Sequence, residues 1–321
     1  MDYIKLFKNK SIMHVSDSDL DGISCRLIAE YFIKPVTKNY IPYNTMDRTL
    51  PDFSFDVAKE CDYIIFTDIT PPNLEFYEKI EGKKKVIIFD HHQSGKDILG
   101  YLSNYIYDLN RSGNKIFFDE LVKGKRRKLC IDQYITLADT YDLYKTDSEN
   151  WEDAKNLNNV LYGYVNWKAY KYETDTERHR KFCEVQLDKF DKFNKFFFNE
   201  YEKYIIHNSL RKENQAYEEA KKNLQFRVDN EGYKYIYTEC TSKISLIAYR
   251  LLKNYGEKID YIVLYSTWDK DNLSLSLRSI NFDTTYITKK WGGGGHKNAS
   301  GMVFESQQKL NEFREGKFHL I

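Results

Sequence analysis

Ser11-Ile12-Met13-His14-Val15, running directly into Ser16-Asp17-Ser18-Asp19-Leu20-Asp21-Gly22, is the stretch that decides the fold. A short, largely apolar run without alternation suits a strand covered on both faces, as in a parallel sheet. From Gly22 to Phe32, Ile23, Leu27, Ile28 and Tyr31 recur at helical spacing. The D-x-D-x-D-G run between strand and helix matches the first six positions of a calcium loop. Position twelve, where that loop needs a bidentate Glu, is Ile28, and a strand rather than a helix precedes the run. The stretch therefore reads as a strand-to-helix turn carrying three carboxylates.

The same grammar recurs downstream. Tyr63–Thr67 is a short Ile-rich run that ends on Thr67-Asp68, and Val86–Phe89 ends on Asp90-His91-His92. Between them Pro72–Ile80 places Leu74, Tyr77 and Ile80 at helical spacing. Strands alternating with helices predict a doubly wound parallel α/β domain. Ligands of such sheets bind beyond the C-terminal strand ends, where each of these runs terminates in carboxylates or imidazoles. Carboxylates gathered that closely repel one another unless cations sit among them. Oxygen donors with one or two imidazoles suit Mn²⁺, Mg²⁺ or Co²⁺ better than thiolate-preferring metals. A fourth contributor is expected from the helical stretch Leu137–Asp142, through either Asp139 or Asp142.

Farther along, residues 150–224 contain no proline and are dense in charge. Phe190, Phe193, Phe197, Tyr201 and Tyr204 recur every three or four residues, which predicts an amphipathic helical region packed against a lobe. Short strands return at Phe226–Val228, Lys234–Thr238, Tyr261–Tyr265 and Leu273–Arg278. The run Trp291-Gly292-Gly293-Gly294-Gly295-His296 leaves backbone N–H groups uncovered and able to approach an anion. No G-K-[ST] closes it, so it is not a Walker loop; it reads as a loop for phosphate or substrate. The expected organisation is 1–149, 150–224 and 225–321: a catalytic lobe, a helical extension and linker, and a smaller α/β lobe.

Composition sets the outer limits. The chain has 321 residues, 49 Lys and Arg against 48 Asp and Glu, and a net charge of +1. That balance excludes coating of nucleic acid by bulk electrostatics. The basic run Lys123–Lys128 reads as a solvated loop. No apolar stretch approaches the ~18 residues that span a bilayer, and the first residues lack a secretory h-region. The cysteines, Cys25, Cys61, Cys130, Cys183 and Cys240, are scattered and never spaced C-x-x-C, which points to reduced, buried thiols in a cytoplasmic protein.

Asp17-x-Asp19-x-Asp21-Gly22, Asp68, Asp90-His91-His92, the Asp139 region and the late Gly292–His296 run, taken in this order, resemble the DHH phosphoesterase superfamily with its DHH-associated C-terminal domain, including its RecJ-type exonuclease and nanoRNase branches. The resemblance spans residues 11 to 304. It implies a two-lobed protein with two Mn²⁺ ions in the N-terminal lobe and substrate in the cleft between lobes. It further implies Asp17, Asp19, Asp21, Asp68, His91 and Asp139 as metal ligands, His92 near the scissile phosphate with Asp90 behind it, and Arg278, Gly293, Gly294, Gly295 and His296 at the substrate phosphate. The activity expected is hydrolysis of phosphodiesters in short RNA or DNA oligonucleotides by metal-activated water. The alternatives are cleavage of a cyclic mono- or dinucleotide signal, and a catalytically silent nucleotide sensor. His14, five residues ahead of Asp19, is expected to pack within its strand.

Overall fold

The computed structural model describes residues 1–33, 37–43, 53–80, 82, 85–164, 175–266, 274–304 and 306–314. They form two compact units, Met1–Ile206 and His207–Ile321.

The first unit opens with a short helix, α1 (Tyr3–Phe7), and then builds β1 (Ser11–Asp17), α2 (Leu20–Phe32), β2 (Thr37–Tyr43), α3 (Phe55–Glu60), β3 (Tyr63–Thr67), α4 (Leu74–Lys79), β4 (Val86–Asp90), α5 (Gln93–Leu99) and β5 (Tyr105–Tyr107). The five strands are all parallel, in the order β2-β1-β3-β4-β5. Each face of the sheet has its own core. Ile12, Ile65, Ile87 and Phe89 meet α2 and four further helices, α6 (Gly113–Leu121), α7 (Leu129–Asp142), α8 (Trp151–Tyr164) and α9 (Asp175–Lys192). Met13, Val15, Ile64, Phe66 and Ile88 meet residues of α3 and α4, with Leu99 of α5. The continuous Ile/Val runs are thus explained: neither face is wet, so no position can be polar without a partner. Strand order reverses direction at β1, with β2 on one side and β3 on the other. That is the switch point at which the C-terminal strand ends part and open a crevice.

Polar residues inside this sheet satisfy one another. His14 is buried, and its Nε2 lies 2.8 Å from Thr67 Oγ1. Thr67 in turn donates to Ser16 Oγ at 2.9 Å, and Ser16 Oγ reaches the Gly22 carbonyl at 2.9 Å. This chain ties the Asp17–Gly22 turn to the end of β3, and it accounts for a histidine within an apolar strand. All five cysteines are buried thiols.

The helical segment departs from its sequence pattern. After α9 the chain leaves the helix from Phe193 to Asn199 and restarts as α10 (Glu200–Lys222), which contains the division between units. Of the aromatic stripe only Phe190 is buried; Phe193, Phe197, Tyr201 and Tyr204 are exposed. Asn199 and Glu202 form a reciprocal cap, Glu202 N donating to Asn199 Oδ1 at 2.9 Å and Asn199 N to Glu202 Oε2 at 2.7 Å. The Lys189 ammonium bridges the buried Glu202 carboxylate at 2.5 Å. The break rotates the helical phase, so residues spaced for one face no longer share it.

In the second unit β6 (Gln225–Val228), β7 (Lys234–Cys240), β8 (Tyr261–Ser266), β9 (Ser274–Arg278), β10 (Gly294–His296) and β11 (Ala299–Val303) form a mixed sheet, ordered β10-β11-β9-β8-β7-β6. Only β7 and β8 are parallel; between them runs α11 (Ile244–Tyr255), packed with the end of α10 through Ala216, Tyr217, Ala220, Ile247 and Leu251. The other face is covered by α12 (Thr285–Thr288) and α13 (Gln307–Arg314) through Ile287, Leu310 and Phe313. Leu273, expected to begin β9, lies outside the described residues. No helix among the described residues is long and apolar enough to cross a membrane.

Candidate metal centre

The C-terminal ends of β1, β3 and β4 bring their carboxylates and imidazoles together. Asp17 closes β1, and Asp19 is the N-cap of α2, accepting from Gly22 N at 3.1 Å. Asp21, in the first turn of α2, is fully buried. Its carboxylate accepts the first two backbone N–H groups of α6, from Gly113 and Asn114, each at 2.7 Å, together with the Asn114 side-chain amide. These are the N–H groups a helix cannot satisfy internally, and the positive end of the helix dipole suits a carboxylate. Gly113 makes the approach possible, because a Cβ there would stand 2.7 Å from Asp68 Cα.

Asp68 follows β3 in the left-handed region (φ 61), a conformation Asp tolerates better than most residues. Its backbone N–H donates to the Phe89 carbonyl at 2.9 Å, which fixes it beside the end of β4. His91 Nε2 then lies 3.3 Å from Asp68 Oδ1, 3.5 Å from Asp142 Oδ2 and 3.8 Å from Asp21 Oδ2. Three interlocking donor groups result, Asp68 with His91 and His92, Asp21 with His91 and Asp142, and Asp17 with Asp19 and Asp68; within each, the ligand atoms lie within 4.8 Å of one another.

Of the two aspartates at the end of α7, Asp142 reaches this cluster. Asp139 Oδ1 accepts the buried Ser112 N–H at 2.9 Å, and its Oδ2 pairs with Lys145 Nζ at 2.7 Å. Both its oxygens are thereby committed to holding the start of α6 and the turn after α7. His92 turns its Nδ1 to Asp90 Oδ1 at 2.8 Å, and Asp90 is fully buried.

The electrostatics are those of a site built around positive charge. Burial, and then the charge of Asp19, pushes the Asp17 carboxyl up to about 8. Burial followed by Asp21 pushes Asp19 to about 6. Asp68 and Asp142 are driven well above the ordinary carboxylate range by burial and then by Asp21. Burial pulls the His92 imidazole down, but the hydrogen bond and charge of Asp90, with Asp21 and Asp19, outweigh it and bring it to about 9. Asp142 Oδ2 is buried and accepts no hydrogen bond. Divalent cations fit this donor set: they relieve the mutual repulsion and supply the partner that this oxygen lacks.

In the second unit Arg278 ends β9. Its guanidinium donates to the Leu277 carbonyl at 2.8 Å and the Ser300 carbonyl at 3.3 Å, with Ser245 Oγ at 3.3 Å. The tetraglycine run is not an open loop. Gly294–His296 form edge strand β10, paired antiparallel with β11, and Gly293 N already donates to the Thr288 carbonyl at 2.8 Å. Gly294 and Gly295 lie on that edge; the side chain of His296 is outside what the structure describes. Within the basic run Arg127 pairs with Asp119 and Asp132, Lys125 with Asp2, and Lys123 with Glu120.

The sequence reading missed Ser112-Gly113-Asn114. Its signal was there: Ser112 stands as the N-cap before the apolar run Ile116-Phe117-Phe118. That marks a helix start but not which carboxylate the start will hold.

The DHHA1 domain family matches residues 232–316. Oligoribonuclease NrnB of Bacillus subtilis (strain 168) is 26% identical over 310 residues, covering 89% of this chain and 71% of its own. A 3',5'-cyclic-nucleotide phosphodiesterase of Helicobacter pylori is 22% identical over 165 residues, 45% of this chain and 47% of its own. Among solved structures, the pGpG-specific phosphodiesterase PggH of Vibrio cholerae aligns with a TM-score of 0.58 at 13% identity, covering 96% of this chain and 98% of that one. RecJ of Thermus thermophilus in complex with Mn²⁺ aligns with a TM-score of 0.54 at 14% identity, covering 98% of this chain and 53% of that one.

Proposed function

From the premise that this chain belongs to the DHH phosphoesterase superfamily, we propose that it is a metal-dependent phosphodiesterase that hydrolyses short oligonucleotides. The observation that carries the reading is the convergence of Asp17, Asp19, Asp21, Asp68, His91 and Asp142 at the ends of three adjacent parallel strands. These residues would hold a pair of divalent cations, Mn²⁺ in the first instance, with Mg²⁺ and Co²⁺ as alternatives. Bound there, such cations would supply activation of a water and stabilisation of the charge on the phosphoryl oxygens.

The chain's own groups do the rest. The Asp21 carboxylate is gripped by the start of α6, and the backbone of Asp68 is fixed by the Phe89 carbonyl, so the site is in large part preorganised. His92 is anchored through Nδ1 by Asp90, which leaves its Nε2 to serve the departing oxygen. Asp139, which accepts the Ser112 N–H and pairs with Lys145, sets the start of α6. Arg278 and the β10 edge receive a phosphate of the substrate through the guanidinium and the backbone of Gly294 and Gly295. A net charge of +1 supports a small substrate over a long tracked strand, and the extent of the match to an oligoribonuclease supports short RNA.

The test is one panel. The protein is incubated with Mn²⁺ and labelled RNA and DNA from two to about twenty nucleotides, with cyclic mono- and dinucleotides alongside. Fastest decay of dimers and trimers, abolished by EDTA, is expected. Turnover indifferent to EDTA overturns the reading. Faster cleavage of a cyclic nucleotide moves the activity to the signalling class, and tight binding with no turnover makes the chain a sensor.

A further inference from the structure

We propose that Tyr105 is a positioning residue for this site, acting through Asp90 to hold the His92 imidazole in its working orientation. The proposal rests on the phosphodiesterase reading and names a residue that no motif of the chain contains.

Tyr105 opens β5, the edge strand that pairs with β4 through Ile88↔Tyr105 and Asp90↔Tyr107. Its hydroxyl lies 3.2 Å from Asp90 Oδ2, while Asp90 Oδ1 takes His92 Nδ1 at 2.8 Å. The two oxygens of one fully buried carboxylate are thus divided between a phenol and an imidazole. The phenol is pushed up well above its ordinary value by burial and then by the charge of Asp90, so it remains a donor throughout the working pH range. The remaining side of the carboxylate is closed by α5. A Cβ on Gly95 would stand 2.7 Å from Asp90 Oδ2 and 2.4 Å from Thr70 Cγ2, so the helix sits against the carboxylate with no room for a side chain.

A carboxylate that accepts from one side only can rotate about its Cβ–Cγ bond and carry the histidine with it. With the second oxygen held by Tyr105, that rotation is blocked, and Nδ1–H keeps its direction. The imidazole is part-exposed and rests against the His91 ring at 4.3 Å between centroids; the bond to Asp90 fixes the rotation that this one ring contact leaves open. Supporting groups behind a working histidine are typically worth about 10- to 100-fold in activity.

Tyr105→Phe removes the one hydroxyl and keeps the ring. With Mn²⁺ and the oligonucleotide that the wild type cleaves best, kcat should fall about 10-fold or more while KM stays unchanged; the melting temperature falls too, because the buried Asp90 Oδ2 loses its donor, and turnover is therefore read well below it. In a His92→Ala background the same substitution should cost nothing further, because its effect passes through His92. Tyr107→Phe is the control: that hydroxyl reaches Gln93 Oε1 at 3.1 Å, not Asp90, and turnover should be retained. Proton NMR of the EDTA-treated protein gives a readout free of turnover: the downfield His92 Nδ1–H resonance, assigned by its loss in His92→Ala, should broaden or vanish in Tyr105→Phe. Wild-type kcat in Tyr105→Phe, an undiminished cost in the His92→Ala background, or an unchanged resonance would overturn the inference. Absence of turnover by the wild type on every substrate refutes the phosphodiesterase reading instead, and the NMR comparison then decides the positioning role alone.

Discussion

Asp17 and Asp19 set the pH behaviour of the site. At low pH their carboxyls are protonated in native and unfolded chain alike, and burial costs little. Between the ordinary carboxylate value of 3.8 and the native values of about 6 for Asp19 and about 8 for Asp17, the unfolded chain has released protons that the native chain still holds. The cation-free protein therefore loses stability as pH rises through this window. His92 runs the same way: its charged form is favoured in the native state, so its contribution is full below 6.5 and lost as pH rises through about 9. A cation competes with those protons, so its stabilisation grows with pH. The melting temperature of EDTA-treated protein should fall between about pH 5 and pH 8, and the increment on adding Mn²⁺ should increase over the same range. A flat or rising profile without metal would count against the buried carboxylate cluster. The aspartates of α7 separate by substitution. Asp142→Asn should cost on the order of 100-fold in Mn²⁺-dependent turnover with little change in urea midpoint. Asp139→Ala should cost about 1–3 kcal/mol in urea unfolding, because the buried Ser112 N–H loses its acceptor. Sequence could not choose between them: they lie one helical turn apart on nearly the same face. Ser112 and Lys145, which claim Asp139, arrive only with the fold.

Elements divide into those that local sequence dictates and those that it does not. Tyr63–Thr67 forms a strand over the residues its Ile-rich run delimits, and β1 and β4 extend their apolar runs only into the carboxylates that follow. Strands buried on both faces leave no polar alternative, so they read cleanly. Helix α6 was legible as a helix start but not as a clamp on Asp21, since that role joins residues about ninety positions apart. Gly113→Ala should show what the clamp is worth. The added methyl meets Asp68, and overpacking of this kind costs about 1–3 kcal/mol in urea unfolding, with Mn²⁺ affinity lowered because Asp21 and Asp68 are both displaced. An unchanged midpoint and affinity would mean that α6 yields freely. The aromatic stripe of 190–204 misled because its spacing continued across a break. Asn199-Glu200-Tyr201-Glu202 is a capping box, and it announced the restart to any reading that weighed caps above periodicity.

At the scale of the molecule, each unit has cores of its own on both faces of its sheet. Among the described residues every candidate cation-holding group lies in the first. Hydrogen exchange should therefore respond unevenly to Mn²⁺. Protection should rise at the ends of β1, β3 and β4 and at the first amides of α6, while β7, β8 and β9 remain as they were. A uniform response would contradict local binding. The parallel sheet and the strands of a later α/β lobe were legible, because alternation of strand and helix is written locally; the mixed order of the later sheet was not. The edge strand at Gly294–His296 was not: its glycines read as an open loop, and only the pairing with β11 makes them a hairpin.

The order of these parts along the chain has a consequence for biosynthesis. Asp142 is the last of the candidate cation-holding residues, and roughly 60 more residues, at ~5–20 residues per second, complete the first unit at Ile206. For some seconds the nascent chain has its complete set of donors while α8 and α9 are still being translated. Ions captured in that interval would favour the native sheet before any competing segment exists, so the supply of divalent cations in the translating cell enters the yield of folded protein as well as its later chemistry.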